Sequence, residues 1–299
     1  MATIKLVLKQ VRINFGYIAK YALTYTGSVI AGFEILGFLC DFNMVFPENW
    51  TFINRLLISA AVVLGIWCVL FIIKSLVVVS QKRVTVIDAD NGHHVYVEYG
   101  DLLEDRNEKN NVVVTANRCF DTIVDDDLIS ATTIHGKAIL KICTDGYTAD
   151  QLHDALQNDL TVNRRASPSE TLSRGEKRKG NLSRYPVGTI AEFKKTADDK
   201  TTYFFVGMST FNSDLHPETT DEEYALTVQR LIEYCHLRSQ RFPVYMPVIG
   251  TNGRNHKKEE RELLEYMVSA LRFHKHLVNT DIHIVVYFDR RDDVSIQGL

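Results

Sequence analysis

Two long apolar stretches open the chain, and short β-type runs alternating with amphipathic helical runs fill the rest. Leu56 to Ile73 extends for eighteen residues without a charge. Carried on to Val79 past Lys74 at about 1.5 Å per residue, that helix spans a hydrocarbon core of roughly 30 Å. Tyr21 to Cys40 has a comparable length but carries Glu34 and several hydroxyl residues. Both read as membrane spans, at about 21–40 and 56–79, so residues 1–83 are expected to form a two-helix transmembrane hairpin with a short N-terminal segment. A cleaved signal peptide fits poorly, because the first stretch begins late, is long, and leads into a second span instead of a small-residue cleavage site.

From Val84 onward the pattern changes to period two. Val84-Thr85-Val86-Ile87, a turn at Asp90-Asn91-Gly92 and Val95 to Tyr99 predict a β-hairpin. The β-branched run Val112-Val113-Val114 predicts a buried strand, and Leu152, Leu156 and Leu160 at four-residue spacing predict a helix from Ala149 to Leu160. Strands at Tyr203–Met208, Val244–Ile249 and Ile282–Phe288 then alternate with helices at about Asp221–Gln240 and Lys257–His276. The first of these helices opens with Thr220 and Glu223 in capping-box spacing. Strands separated by helices call for a mainly parallel or mixed sheet with helices on its faces, an α/β domain over residues 84–299.

Charge adds an orientation. Lys5, Lys9, Arg12 and Lys20 precede the first stretch, Lys74, Lys82 and Arg83 end the second, and the connection holds Asp41 and Glu48. Basic flanks stay on the cytoplasmic side, which places both termini in the cytoplasm of a multi-pass inner-membrane protein. The five cysteines include no C-x-x-C pair and are read as reduced. Residues 163–184 hold seven basic side chains against two acidic ones and few apolar residues. This segment is expected to be a mobile basic loop, either a solvated insertion or an attractor of anionic headgroups or phosphates.

Candidate chemistry is sparse. Val248 to Asn255 places Gly250, Thr251, Asn252, Gly253 and Arg254 between a buried strand and a long helix, where backbone N–H groups can cradle a diphosphate, though glycines there also serve simple turns. Asn117 ends a strand, where its amide can bond a ribose hydroxyl or merely terminate the element. Asp101 follows a hairpin strand, positioned to accept from an adenine amine or to cap a helix. His135 follows the Asn117 loop. Asp125-Asp126-Asp127 is read as a solvated face or a helix start, not a metal site, since adjacent aspartates on a loop point apart and no matching ligand cluster accompanies them. No nucleophile–base pair with defined spacing is visible, which points to a binder and not an enzyme, with no metal, cofactor or nucleic acid.

In order, Gly100-Asp101-Leu102, Val112 to Asn117 and Pro247 to Arg254 resemble the motif series of macro domains. With the two apolar stretches added, the chain resembles the membrane-anchored macro-domain effectors of type II Thoeris anti-phage defence. The resemblance implies a three-layer macro-like domain with a mixed central sheet. It also implies an ADP-ribose-derived ligand, histidine-ADP-ribose, made by a partner TIR-domain enzyme. By position it assigns Asp101 to the adenine, Asn117 to the distal ribose and Gly250 to Arg254 to the diphosphate, with Ile134, His135 and Gly136 in the other ligand-binding loop. One departure matters: hydrolytic macro domains follow the Asn with three glycines, whereas Arg118-Cys119-Phe120-Asp121 stands here. A reader of the signal is therefore expected, self-associating on binding and disrupting the membrane to kill the cell. The alternatives are a membrane-tethered ADP-ribosyl glycohydrolase or a protein-binding scaffold. For assembly in lipid, Gly27 with Ala31 and Ser28 with Gly32 would permit close helix approach, and Glu34 would face the bundle interior or the interface.

Overall fold

A computed structural model describes residues 2–39, 51–144, 146–250 and 260–299. It divides into two compact units, residues 1–82 with 289–298, and residues 83–288 with Leu299. The expected boundary thus shifts near the C-terminus: residues 289–298 fold with the N-terminal helices and not with the α/β domain.

The first unit consists of helices α1 (Ala2–Ile13), α2 (Phe15–Leu39) and α3 (Phe52–Ser80) with the C-terminal segment. Among the described residues, α3 is the helix long and apolar enough to cross a membrane by length and composition. Thr51 caps it, its hydroxyl accepting from the Asn54 N–H. On α2 the buried residues are Ile18, Ala22 and Thr26, a four-residue repeat, and Phe15 meets Phe71 of α3 with ring centroids 5.7 Å apart. Gly27, Ser28, Ala31 and Gly32 are exposed, so this small-residue stripe is not what packs α2 on α3 within one chain. The side chain of Glu34 lies outside the described residues. The C-terminal segment is tied down by polar bonds: Gln10 to the Arg291 carbonyl, Ser295 to Asn14, Gln297 to Gln81, and Lys9 to Asp293.

The second unit is the α/β domain. Its strands are β1 (Arg83–Asp88), β2 (His94–Gly100), β3 (Asn110–Asn117), β4 (Glu170–Thr171), β5 (Ser183–Arg184), β6 (Thr189–Phe193), β7 (Thr201–Phe211), β8 (Pro217–Glu218), β9 (Val244–Pro247) and β10 (Ile282–Tyr287). Its helices are α4 (Ile134–Thr144), α5 (Ala149–Asn158), α6 (Asp221–Arg238) and α7 (Glu260–Phe273). The main sheet runs β1-β2-β10-β9-β3-β7-β6, with β8 on β7. Its five middle strands, β2 to β7 in that order, are mutually parallel, and β1, β6 and β8 pair antiparallel at the margins. The sheet is therefore mixed, with β3 between β9 and β7 and Val112, Val113 and Val114 fully buried. That burial on both faces explains the unbroken apolar run.

Adjacent side chains on a strand point to opposite faces, and β7 shows what covers each. Phe204 meets Tyr234 of α6 edge-on at 5.3 Å, whereas Phe205 meets His135 of α4 at 6.0 Å. Helices thus cover both faces in three layers. Leu152, Leu156 and Leu160 join Val112, Val114 and Ile139 in one core cluster, as their spacing predicts. The capping boxes at Thr148 and Thr220 both form.

Residues 163–184 are not a loose loop. They form the β4–β5 hairpin, with Leu172 buried in it, and five of their seven basic side chains pair with carboxylates of the same domain. Arg164 pairs with Asp159 and Glu192, Arg184 with Glu170, Arg178 with Asp127, and Lys179 with Asp125 and Asp127. Lys177 is wholly buried against Asp121 at 2.5 Å, itself 1% exposed. Its ammonium also donates to the Asn181 carbonyl at 2.7 Å, while the Asn181 N–H donates to Asp121 at 2.6 Å. Polar composition suggested mobility; buried ion pairing supplies the order that apolar content does not.

Candidate functional site

Parallel strands place their carboxyl ends on one edge, where loops to the following helices leave a crevice. At the ends of β3, β7 and β9 that crevice is a cavity of about 520 Å³. Its walls come from Asn117 on β3, Met208 and Ser209 on β7, Pro247 to Gly250 after β9, the 126–135 segment, and Arg178 of the β4–β5 hairpin.

Asn117 supplies the most telling group. It is 3% exposed, its Oδ1 accepts from the Cys119 N–H at 3.0 Å, and its Nδ2 has no protein partner. An unmet buried donor on a cavity wall costs about 1–3 kcal/mol, a cost that an acceptor on a ligand removes. His135 also lines the cavity, and its Nε2 is buried without a partner. Burial alone pushes its pKa down to about 4, so the imidazole is neutral near pH 7 and offers a hydrogen bond without charge.

The first turn of α4 is built to bring the wall close. Thr133 caps it, its hydroxyl accepting from the Gly136 N–H at 3.0 Å and donating to the Ser130 carbonyl at 2.8 Å. A Cβ on Gly136 would stand 2.2 Å from that same carbonyl oxygen, so any side chain would push the wall off the helix. Across the cavity, Gly250 has φ of +91°, and a Cβ there would press the Tyr224 ring at 3.1 Å.

Of the residues expected to meet the ligand, Asn117, Ile134, His135 and Gly250 therefore line one cavity. Ile134, His135 and Gly136 belong to a helix start and not to a loop, a change with a cause in the Thr133 cap. Asp101 sits at the carboxyl end of β2 on the same sheet edge but does not line the cavity. Its carboxylate accepts from the Leu103 N–H at 2.9 Å, closing a turn, and no helix follows it before β3, so it is not a helix cap. Thr251, Asn252, Gly253 and Arg254 lie outside the described residues.

Sequence reading missed the participation of Arg178 and of the 126–130 segment. Asp126 and Asp127 reach the cavity wall beside Arg178, and within the acidic run Asp125 and Asp127 pair with Lys179 and Arg178. Among the described residues, no group of three or more His, Cys, Asp and Glu side chains could hold a metal ion. The signal for this pairing was present as complementary charge runs some fifty positions apart, but their proximity is set by the hairpin.

After Asn117 the chain continues through Arg118-Cys119-Phe120-Asp121, and these residues are packed. Phe120 is fully buried in a left-handed conformation, edge-on to Tyr185 at 5.6 Å, and Asp121 is consumed by Lys177 and Asn181.

The mixed eight-stranded sheet between helical layers, with a cavity at the carboxyl edge lined by Asn117, defines a macro-type α/β domain. Residues 95–287 match the family model of the macro domain of Thoeris protein ThsA, and the chain belongs to that family. It is 24% identical over 247 residues to Thoeris protein ThsA of Bacillus amyloliquefaciens (strain Y2), covering 80% of this chain and 76% of that protein. A mutant macrodomain of Oceanobacillus iheyensis superimposes with a TM-score of 0.44 at 12% identity, over 71% of this chain and 92% of that one.

Proposed function

We propose that this protein is a Thoeris anti-phage effector whose macro domain reads an ADP-ribose-derived signal, histidine-ADP-ribose, released by a partner TIR-domain enzyme. The observation that carries this reading is the unpaired Asn117 Nδ2 on the wall of a 520 Å³ cavity, in a domain of this family. The cavity is large enough for most of a nucleotide-sized ligand. A sensing role without hydrolysis is supported by the packed Phe120 and by Asp121, whose carboxylate is tied to Lys177 and so is poorly placed to act as a base.

The output in this reading is the membrane. Helix α3 anchors the chain in the inner membrane with α2 beside it as the second span, and both termini stay cytoplasmic. Ligand binding favours a self-associated state, which requires tighter binding to the assembled form than to the free one. The exposed stripe of Gly27, Ser28, Ala31 and Gly32 gives one helix a surface for close approach by another copy, and Glu34 belongs to the same helix. Clustered helices then breach the bilayer and the infected cell dies.

Calorimetry on the full chain in detergent tests the sensor. Histidine-ADP-ribose is expected to bind saturably, and Asn117→Ala to weaken it by ten- to a hundredfold, the worth of one buried hydrogen bond. Light scattering is expected to show small assemblies becoming large at saturating ligand. Absence of binding refutes the sensor, and binding without a change in size refutes the assembly step. Release of free ADP-ribose from the ligand would instead establish a hydrolase.

A further inference from the structure

A second cavity, of about 390 Å³, opens at the opposite edge of the same sheet, beside the amino ends of β3 and β7. Its floor is polar and buried: Asn111 and Asp159 are 3% and 6% exposed, with Phe193 beside them. Its rim carries Lys109, Lys194 and Lys200.

The two acidic residues of the lining do not answer those lysines. Asp159 accepts from Arg164 at 3.0 Å, from Asn163 at 2.9 Å and from the Glu192 N–H at 2.7 Å. Glu192 is held by Arg164 at 2.6 Å, by the Tyr234 hydroxyl at 2.7 Å and by Arg238 at 3.3 Å. Both carboxylates are thus neutralised by arginines outside the cavity. Lys194 donates to the Ala197 carbonyl at 2.9 Å and Lys109 lies over the Phe242 ring at 5.5 Å. Among the described residues, none of the three lysines has a carboxylate partner. Three uncompensated cations around one concavity focus a positive potential into it.

We propose that this cavity is a second ligand site, which takes a small soluble phosphate-bearing anion of pyrophosphate type. The lysines meet the charge as point cations, and Thr202 with the amides of Asn163 and Gln240 supply neutral partners at the wall. The concavity and the buried floor favour a compact solute over a flat bilayer surface. The site stands apart from the Asn117 cavity, at the other end of β3, and does not depend on what that cavity binds.

Titration of the full chain in detergent with inorganic pyrophosphate at low ionic strength tests it. Saturable binding is expected, weakening as salt rises, and surviving Asn117→Ala. The triple variant Lys109→Glu, Lys194→Glu, Lys200→Glu should lose at least tenfold in affinity, whereas Lys200→Arg should retain it. All three positions are exposed, so unchanged thermal unfolding shows that the variants remain folded. The proposal is overturned if pyrophosphate does not bind, if the triple variant binds as well as the parent, or if Asn117→Ala abolishes binding. Lysine-dependent sedimentation with phosphatidylglycerol vesicles without pyrophosphate binding would assign the lysines to lipid and also overturn it.

Discussion

Lys177→Met is the sharpest perturbation of the architecture around the Asn117 cavity. The side chains have similar length, so the change removes the charge and leaves most of the packing. Lys177 is wholly buried and Asp121 is 1% exposed, and their contact is 2.5 Å. Removing one partner of such a pair costs about 3–5 kcal/mol, because the other charge stays buried without its counterion. For a domain of this size each kcal/mol moves the melting temperature by about 2–4 °C, so a fall of roughly 6–20 °C is expected. The double variant Lys177→Met, Asp121→Asn should recover much of that loss, since an amide oxygen still accepts from the Asn181 N–H while no charge is stranded. Differential scanning calorimetry of the parent, both single variants and the double variant closes a cycle whose coupling is the measured quantity. A single-variant loss below about 1 kcal/mol, the range of exposed pairs, would refute a buried clasp. Because the clasp holds Arg178 at the cavity wall, the single variant should also bind histidine-ADP-ribose, the ligand proposed for that cavity, less tightly at temperatures where it is folded.

Three further outcomes follow from the site. His135 has a folded pKa near 4, below its unfolded value, so the stability it contributes is present above about pH 6.5 and lost as pH falls toward 4, up to roughly 3 kcal/mol. Denaturant titrations of His135→Leu should show a shallower loss over that window, and an unchanged slope would refute the assignment. Gly136→Val should weaken ligand binding more than Gly27→Val does, because its Cβ meets the Ser130 carbonyl at 2.2 Å, whereas a Cβ on Gly27 has open space around it; calorimetry compares the two. Gly250→Ala forces a side chain into φ of +91° against Tyr224 and should cost about 1–3 kcal/mol in urea unfolding.

The order of elements was legible along the chain because each element carries its own periodicity. Two-residue alternation marked β1 and β2, the apolar run marked β3, and the leucine spacing marked α5. The capping box placed the start of α6 at its Thr220. Local hydrogen bonding and one buried face suffice for those. Less was legible where local pattern is weak. Helix α4 was missed because its start depends on a Thr133 cap that hides in a polar stretch, and β6 because it is short. The basic run at 163–184 was read as mobile since few of its residues are apolar. Its order comes from Asp121, Asp125 and Asp127, residues that the fold alone brings to it.

The same division holds for the site. Asn117, His135 and Gly250 are separate weak signals in a linear chain, each with a plain structural explanation. Parallel pairing of β9, β3 and β7 sets their carboxyl ends on one edge and turns them into walls of one cavity. Apolar periodicity, which acts over a few residues, is written into sequence; which charges are buried together is a property of long-range packing. That is why the apolar helix α3 can be read directly, while the Lys177–Asp121 clasp and the neutral His135 become visible only when the chain is folded.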